Sequence, residues 1–195
     1  MRRHAFVAAV LVVFAPEPAS PSPCPSAPTH DADGNPMPLP EWTTDSPVGV
    51  TSNFYEKVLV GTDAGGAPDA AQLEAWRPHL SRALVDALAR AAAARDAAAT
   101  AAPDEKPPYV EGSLFSSLFE GYTSAQPITV ATEGERATVP VCFRYEGGDG
   151  QVSEWADSVK LVREDGAWRI DDVVYGGQWD FANTGTLRES LPKEP

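Results

Sequence analysis

The sequence has few of the residues on which reactive and metal-binding sites depend. Its 195 residues include only two cysteines, Cys24 and Cys142, and three histidines, His4, His30 and His79. None of them follows a metal-ligand spacing, and no pattern suggests a Ser-His-Asp or Cys-His arrangement. We therefore expect no metal centre, no cofactor and no nucleophilic catalysis.

Basic residues are also scarce, with 15 against 28 acidic residues and a formal net charge of −13 at pH 7. Such a balance repels nucleic acid and anionic lipid headgroups. The charge therefore argues against a nucleic-acid partner. It permits a basic protein partner, and it equally fits a plain acidic surface.

Long apolar runs are limited to one, the eleven residues 5–15, which follow the short basic stretch 1–4. This run suits a secretory signal peptide and is too short to span a bilayer comfortably. We predict a signal peptide over residues 1–26, cut after Ser26, and an exported protein that is periplasmic or extracellular. An uncleaved anchor and a lipoprotein attached through Cys24 are the alternatives, and either would bring the protein to a membrane.

Prolines are plentiful but unevenly spread, since ten of the 19 lie between Pro16 and Pro47. Such a stretch cannot bury enough apolar surface to offset the entropy of ordering it. We predict a disordered segment over residues 27–46 and a single domain over 47–191. Cys142 is expected to be a buried free thiol. A disulfide would require Cys24 to survive signal cleavage and to reach the sheet.

The predicted domain shows helical periodicity first and strand periodicity afterwards. Apolar residues recur at helical spacing over residues 47–60, 68–80 and 82–95, with Ser46 and Ser81 as N-caps. The period then becomes two, over strands at 128–130, 137–145, 152–162 and 168–175. This order predicts an α+β fold in which N-terminal helices pack on a curved, cone-like C-terminal antiparallel β-sheet.

Four stretches of this domain are similar to a known family. They are Asn53-Phe54-Tyr55, residues 80–84, residues 114–119, and the tail 161–175 with Leu187 and Leu191 after it. Through them, residues 48–191 resemble the bacterial domain-of-unknown-function 3828 family, whose plan is similar to the nuclear-transport-factor-like, SnoaL-like superfamily. The resemblance implies export and helices packed into a curved sheet. It supplies no catalytic residue, because the family has no assigned function.

Asp172 is the main candidate for a catalytic residue. In cone-shaped relatives of this fold, an aspartate that points into the pocket can act as a base. Side-chain alternation places Asp172 on the face of Trp168 and Ile170 unless a bulge intervenes. A structural aspartate at the strand end is the other interpretation. Asp157, two residues after Trp155, carries the same ambiguity.

Trp179 is the main candidate for a ligand contact. It lies in the glycine-rich stretch 176–181, with little apolar sequence around it, and loops on rigid scaffolds often carry binding residues. Trp76, Trp155 and Trp168 are instead expected in the core. For Trp168 we predict burial among neighbours such as Phe54, Leu84 and Val141.

Two functional hypotheses follow. The first is a non-enzymatic exported domain that binds a protein or small ligand in the cell envelope; an immunity or inhibitor protein against an envelope enzyme is one version. The alternative is a cone-fold isomerase or dehydratase with Asp172 as its base. That alternative requires a closed apolar pocket with a carboxylate at its floor.

Overall fold

The computed structural model describes Cys24 and residues 42–60, 65–148 and 150–193. The predicted signal peptide, apart from Cys24, and most of the proline-rich segment lie outside the described residues. Within the described part, helices are followed by a five-stranded antiparallel sheet that is open and curled. The predicted α+β class is therefore confirmed.

The first and third of the N-terminal helices begin where the sequence predicts, and the second begins two residues later than predicted, at Ala70. The helix α1 (Pro47–Asn53) is capped by Ser46, whose hydroxyl accepts the Gly49 N–H at 3.0 Å, and Pro47 occupies the first turn. It continues as a π-helical turn over Phe54–Leu59. The later helical segments are α2 (Ala70–Trp76), a 3-10 turn (Arg77–His79) and α3 (Arg82–Ala101).

The π-helical turn brings two consecutive aromatic residues into the core. Neighbouring residues on an α-helix point in directions about 100° apart, yet Phe54 and Tyr55 are both fully buried. The Phe54 ring packs edge-on against Phe115 at 5.0 Å between ring centres, and the Tyr55 hydroxyl donates to the Phe115 carbonyl at 2.9 Å. The turn therefore ties the first helix to the segment that precedes the sheet.

The helix α3 is joined to the sheet at its N-terminus. The buried Ser81 hydroxyl accepts the Leu84 N–H at 3.1 Å and donates to the Asp171 carboxylate at 2.7 Å. The core-facing side of α3 buries Leu84, Val85, Ala87, Leu88 and Ala91. Alanines then carry the helix to Ala101, past the predicted end at residue 95, because alanine has the highest intrinsic helix propensity.

The sheet has the order β1-β3-β4-β5, with β2 paired to the same edge of β3 as β1. Its strands are β1 (Ser124–Pro127), β2 (Ala131–Glu133), β3 (Arg136–Glu146), β4 (Val152–Glu164) and β5 (Ala167–Val174). The predicted strand at 128–130 is wrong, because these residues form the gap between β1 and β2. The Ile128 N–H donates to the Pro140 carbonyl at 2.9 Å, but Pro140 has no N–H with which to donate to Ile128 in exchange.

A β-bulge in β5 changes which side chains face the core. Leu161 pairs with Ile170, but the preceding residue, Lys160, pairs with Asp172, so Asp171 is the extra residue. Consequently Ile170 and Val173, three residues apart, are both fully buried. The predicted placement of Asp172 on the face of Ile170 is wrong, because the bulge turns it away.

The core lies between the helices and one face of the sheet. The strand residues buried there include Val139, Val141, Phe143, Trp155, Val159, Leu161, Ile170 and Val173. Trp76 and Trp155 are buried as predicted, but the prediction for Trp168 is wrong, since it is only partly buried. Trp168 lies at the end of the β4–β5 hairpin, with the Arg163 guanidinium carbon 5.9 Å from its ring centre.

The opposite face of the sheet carries a disulfide between Cys142 and Cys24. Their Cα atoms are 5.5 Å apart, and the bond spans a sequence separation of 118 residues. The prediction of a buried free thiol at Cys142 is therefore wrong. Along β3, alternation buries Val141 and Phe143 in the core and turns Cys142 towards the other face.

The outer edge of β5 is partly covered. Leu80 forms an isolated parallel bridge with Ile170, and Thr186 forms an antiparallel bridge with Val174. The short helix α4 (Leu187–Ser190) follows Thr186, which caps it. None of the helices in the described ranges is long and apolar enough to cross a membrane.

Candidate functional site

The candidate base Asp172 holds the C-terminal helix to β5. Its Oδ1 accepts the backbone N–H groups of Val173 and Arg188, each at 2.9 Å. The neighbouring Asp171 accepts the Ser81 hydroxyl, and the Arg188 guanidinium approaches its two carboxylate oxygens at 3.1 and 3.2 Å. Asp172 therefore connects β5 to the C-terminal helix, and Asp171 connects β5 to that helix and to the start of α3.

Asp157 is the buried carboxylate of the core, with an exposed fraction of 1%. One oxygen accepts the Ser117 N–H at 2.8 Å and the Trp155 indole N–H at 3.2 Å. The other accepts the Gly176 N–H at 2.8 Å and the Ser117 hydroxyl. Burial raises the pKa of Asp157 and outweighs these four hydrogen bonds, each of which favours the charged form.

The hydrogen bonds of Asp157 belong to a wider network around residues 113–118, which we call the serine segment. Its backbone carbonyls accept side-chain donors from separate parts of the chain. The Tyr175 hydroxyl donates to Leu114 at 2.7 Å, and the Asn183 amide donates to Ser113 and Ser116 at 3.1 and 2.8 Å. This network fixes an irregular segment in the core without regular backbone pairing.

Trp179 packs against the core and is partly buried. Its ring lies edge-on to Trp155, with 5.6 Å between ring centres, and it passes so close to Gly177 that a Cβ there would lie 2.7 Å from the ring. The apolar support that the local sequence lacks therefore comes from β4. In the same loop Phe181 is the exposed aromatic residue, at 73%.

A groove of about 520 Å³ lies at the end of the β4–β5 hairpin, and we call it the hairpin groove. Three stretches of chain form it: the approach to α1, the end of the 3-10 turn, and the hairpin itself. Its lining residues are Thr43, Thr44, Asp45, Ser46, Pro47, Val50, Asn53, Pro78, His79, Arg163, Gly166, Ala167, Trp168 and Arg169. Sequence reasoning did not identify this site.

The hairpin groove collects positive charge on an acidic protein. Arg163 donates through Nε to the Gly166 carbonyl at 3.1 Å, and Arg169 donates through Nη1 to the Pro78 carbonyl. Neither forms an ion pair with a carboxylate of the described ranges. The arginines that do form such pairs there include Arg77, Arg82, Arg95, Arg144 and Arg188. Asp45 also lines the groove, so the lining holds two guanidinium groups and one carboxylate.

His79 and Trp168 add aromatic surface to the same groove. The His79 ring lies 6.1 Å from the Phe54 ring, between centres, which connects it to the core. Partial burial lowers the pKa of His79, and the positive charge of Arg169 lowers it further. We therefore expect His79 to be neutral at pH 7 and the two arginines to supply the positive charge.

A second cavity, of about 480 Å³, lies beside Phe119 and Tyr122. Neither cavity is lined by Asp157, Asp171 or Asp172. Within the described ranges, no group of three or more histidine, cysteine, aspartate or glutamate side chains is placed to hold a metal ion. The hairpin groove, which combines two guanidinium groups with aromatic surface, is the candidate site.

Comparisons with protein-family models, with curated proteins and with solved structures find no match for this chain. Function is therefore inferred from the geometry of the hairpin groove. The available sequence signal was weak: two arginines and a tryptophan around the 164–167 turn of an acidic chain. The other lining residues come from stretches far away along the sequence.

Proposed function

We propose that the protein is a non-catalytic, exported domain that binds an anionic group in the hairpin groove. One observation carries the proposal: two arginines that have no carboxylate partner among the described residues lie beside a partly exposed tryptophan in a concave site, on a chain of net charge −13. Export and kinship with the domain-of-unknown-function 3828 family belong to the same proposal. They rest on the apolar run at residues 5–15 and on the quoted sequence stretches.

The geometry of the guanidinium group makes arginine well suited to bind anions. It presents planar N–H donors that can bind a carboxylate or phosphate through two parallel hydrogen bonds. Arg163 and Arg169 each donate a hydrogen bond to a backbone carbonyl within the described ranges, so their other guanidinium donors are available to a ligand. Trp168 offers a flat apolar surface to the rest of the molecule.

The size of the hairpin groove fits a small ligand. Its volume of about 520 Å³ lies within the range of about 300–1,000 Å³ common for ligand pockets. The anion could be a free carboxylate or phosphate compound, or an acidic side chain of a protein partner, as the immunity- or inhibitor-type version requires. The same chemistry recognises both, and separate experiments distinguish them.

Calorimetric titration with benzoate, phenylphosphate, inorganic phosphate and benzyl alcohol tests the small-ligand form. We expect the two aromatic anions to bind most strongly, with an affinity that falls as salt is raised, and benzyl alcohol to bind weakly or not at all. Amide NMR shifts should concentrate in residues 163–169. Arg163→Gln or Arg169→Gln should each weaken binding about tenfold or more.

Arg144→Gln is the matched control, because Arg144 lies near the far end of β3 and is paired with Glu146 and Glu154. It should leave binding unchanged. Binding that is equal in all three variants, or equal for benzyl alcohol and benzoate, would contradict the proposed site.

Capture from an envelope extract tests the protein-partner form. A partner retained by the native protein and lost with Arg163→Gln, but kept with Arg144→Gln, would place an acidic segment of that partner in the groove. If neither a protein nor any of the anions depends on the two arginines, the groove is not the binding site.

The enzymatic alternative requires a carboxylate that faces a cavity. Asp172 instead accepts two backbone N–H groups, and Asp157 accepts four donors within the core. We therefore propose binding rather than catalysis. Isomerase or dehydratase turnover of a substrate panel, lost in Asp172→Asn while the variant stays folded, would reverse this choice.

A further inference from the structure

We propose that Cys24 stays in the exported protein as half of a structural disulfide and is not a site of lipid attachment. The bond to Cys142 joins the N-terminal region to β3, a central strand of the sheet. Any signal peptidase cut then lies before residue 24, or no cut is made. The cut after Ser26 expected from the sequence alone is replaced by this proposal.

One sulfur atom cannot serve both purposes. A lipoprotein carries its diacylglyceryl group on cysteine through a thioether, which uses the same valence of Sγ as the disulfide. A cut after Ser26 would remove Cys24 altogether and leave Cys142 unpaired. The Cys24–Cys142 bond is therefore incompatible with both events.

The surroundings of Cys142 favour a paired state. Cys142 lies on the sheet face away from the helices and is partly exposed, so no core packing would shield a free thiol there. An odd, accessible thiol in an oxidising compartment is reactive towards other molecules. Pairing with Cys24 leaves no free cysteine in the described chain.

The sequence leaves room for a cut upstream of Cys24. The apolar run ends at Ala15, so eight residues, 16–23, separate it from Cys24. A signal peptidase cuts shortly after such a run. Retention of Cys24 therefore requires no unusual spacing.

Formation of the bond requires an oxidant, which we assign to the class of envelope thiol–disulfide oxidases. Each cysteine loses one proton. The Cys24 thiolate attacks the oxidase disulfide and releases one oxidase thiolate, and the Cys142 thiolate then attacks Cys24 Sγ and releases the other. The protein loses two electrons, and the oxidase is reduced from a disulfide to a dithiol.

Intact-mass spectrometry of the full chain, expressed with its own leader in a bacterial host and recovered in folded form, tests the proposal. We expect a chain that contains Cys24, with no lipid on it, lighter than its reduced form by two hydrogen atoms. Maleimide should label no thiol before reduction and two afterwards. A mature start at Ala27, a diacylglyceryl group on Cys24, or two free thiols would each overturn the proposal.

Cys142→Ser is the matched variant. It removes the disulfide partner of Cys24, so the disulfide can no longer prevent lipid attachment at Cys24. We expect its Cys24 to carry no lipid and to react with maleimide. A diacylglyceryl group on Cys24 in this variant would show that Cys24 is a lipid-attachment site after all. None of these outcomes depends on the hairpin groove, so this proposal and the proposed function can fail separately.

Discussion

Asp157 shows how a single buried carboxylate organises an irregular part of the chain. Its four donors come from the serine segment, from β4 itself and from the loop after β5. Gly176 takes part because its backbone approaches β4 so closely that a Cβ there would lie 2.1 Å from the Ala156 carbonyl oxygen. Asp157 thus connects the serine segment and the loop after β5 to β4.

Asp157→Asn should destabilise the protein by about 1–3 kcal/mol, because one acceptor oxygen becomes an NH₂ group and a buried donor loses its partner. Urea unfolding measures the change. The control is Asp86→Asn, at an exposed position on α3, which should shift the midpoint little. Equal shifts in the two variants would mean that the Asp157 hydrogen bonds contribute nothing to stability.

The raised pKa of Asp157 gives stability a defined dependence on pH. The folded pKa lies above the ordinary value of 3.8, so between the two values the folded state binds more protons than the unfolded state. The stability contribution of Asp157 is therefore fully present below pH 3.8 and is lost as pH rises through the folded pKa. The difference in unfolding free energy between the native protein and Asp157→Asn should fall over that window, and a constant difference would contradict it.

The residues that matter most were only partly visible in the sequence. Asp157 was recognised as ambiguous because it follows Trp155 at strand spacing, but its donors lie far along the chain, at Ser117 and Gly176. Trp179 lacked local apolar neighbours for the same reason, since its support is Trp155 on β4. Sequence patterns report contacts near in the chain, and both sites depend on distant ones.

At the scale of secondary-structure elements, the two tryptophans Trp76 and Trp168 should contribute unequally to stability. Trp168 is partly exposed at the hairpin end, whereas Trp76 is 1% exposed and packs edge-on against Phe115 at 5.5 Å between ring centres. We expect Trp76→Ala to cost about 3–5 kcal/mol and Trp168→Ala about 1–2 kcal/mol. The urea midpoints of the two variants show which substitution lowers the stability more.

Trp42→Ala is the control for both changes, because Trp42 is 42% exposed before the first helix. This substitution should leave the free energy of unfolding almost unchanged. A larger loss for Trp168→Ala than for Trp76→Ala would contradict the placement of these residues.

The elements with local signals were predicted well, and the irregular ones were not. Ser46 and Ser81 mark helix starts because a cap uses only neighbouring residues. The π-helical turn at 54–59 and the bulge at Asp171 depend on packing between elements, which no short-range period records. The bulge alone accounts for the wrong placement of Asp172.

At the scale of the whole molecule, the disulfide is a long-range covalent constraint on the chain. It restricts the unfolded state across 118 residues, and a closed loop of that size should contribute about 2–5 kcal/mol. Reduction, Cys24→Ser and Cys142→Ser should therefore lower the unfolding free energy by similar amounts, measured by urea unfolding. A reducing agent should have no further effect on either variant, and a further loss on reduction would contradict this account.

The overall plan followed from the order of helical and strand periods, since helices followed by closely spaced strands favour an antiparallel sheet. The hairpin groove did not follow, because Ser46, His79 and Arg169 come together only in the folded chain. The disulfide was the less favoured alternative for a related reason: Cys24 stands in a proline-rich stretch whose path no sequence pattern predicts.

The two edges of the sheet bear on how the protein behaves at high concentration. One edge is interrupted between β1 and β2, and the other is met by Leu80 and Thr186. Among the described residues, a strand of a second molecule would find no long, unbroken row of free backbone groups on which to align. Pro140, which has no N–H to donate at the break between β1 and β2, thus helps to protect the sheet from edge-to-edge aggregation.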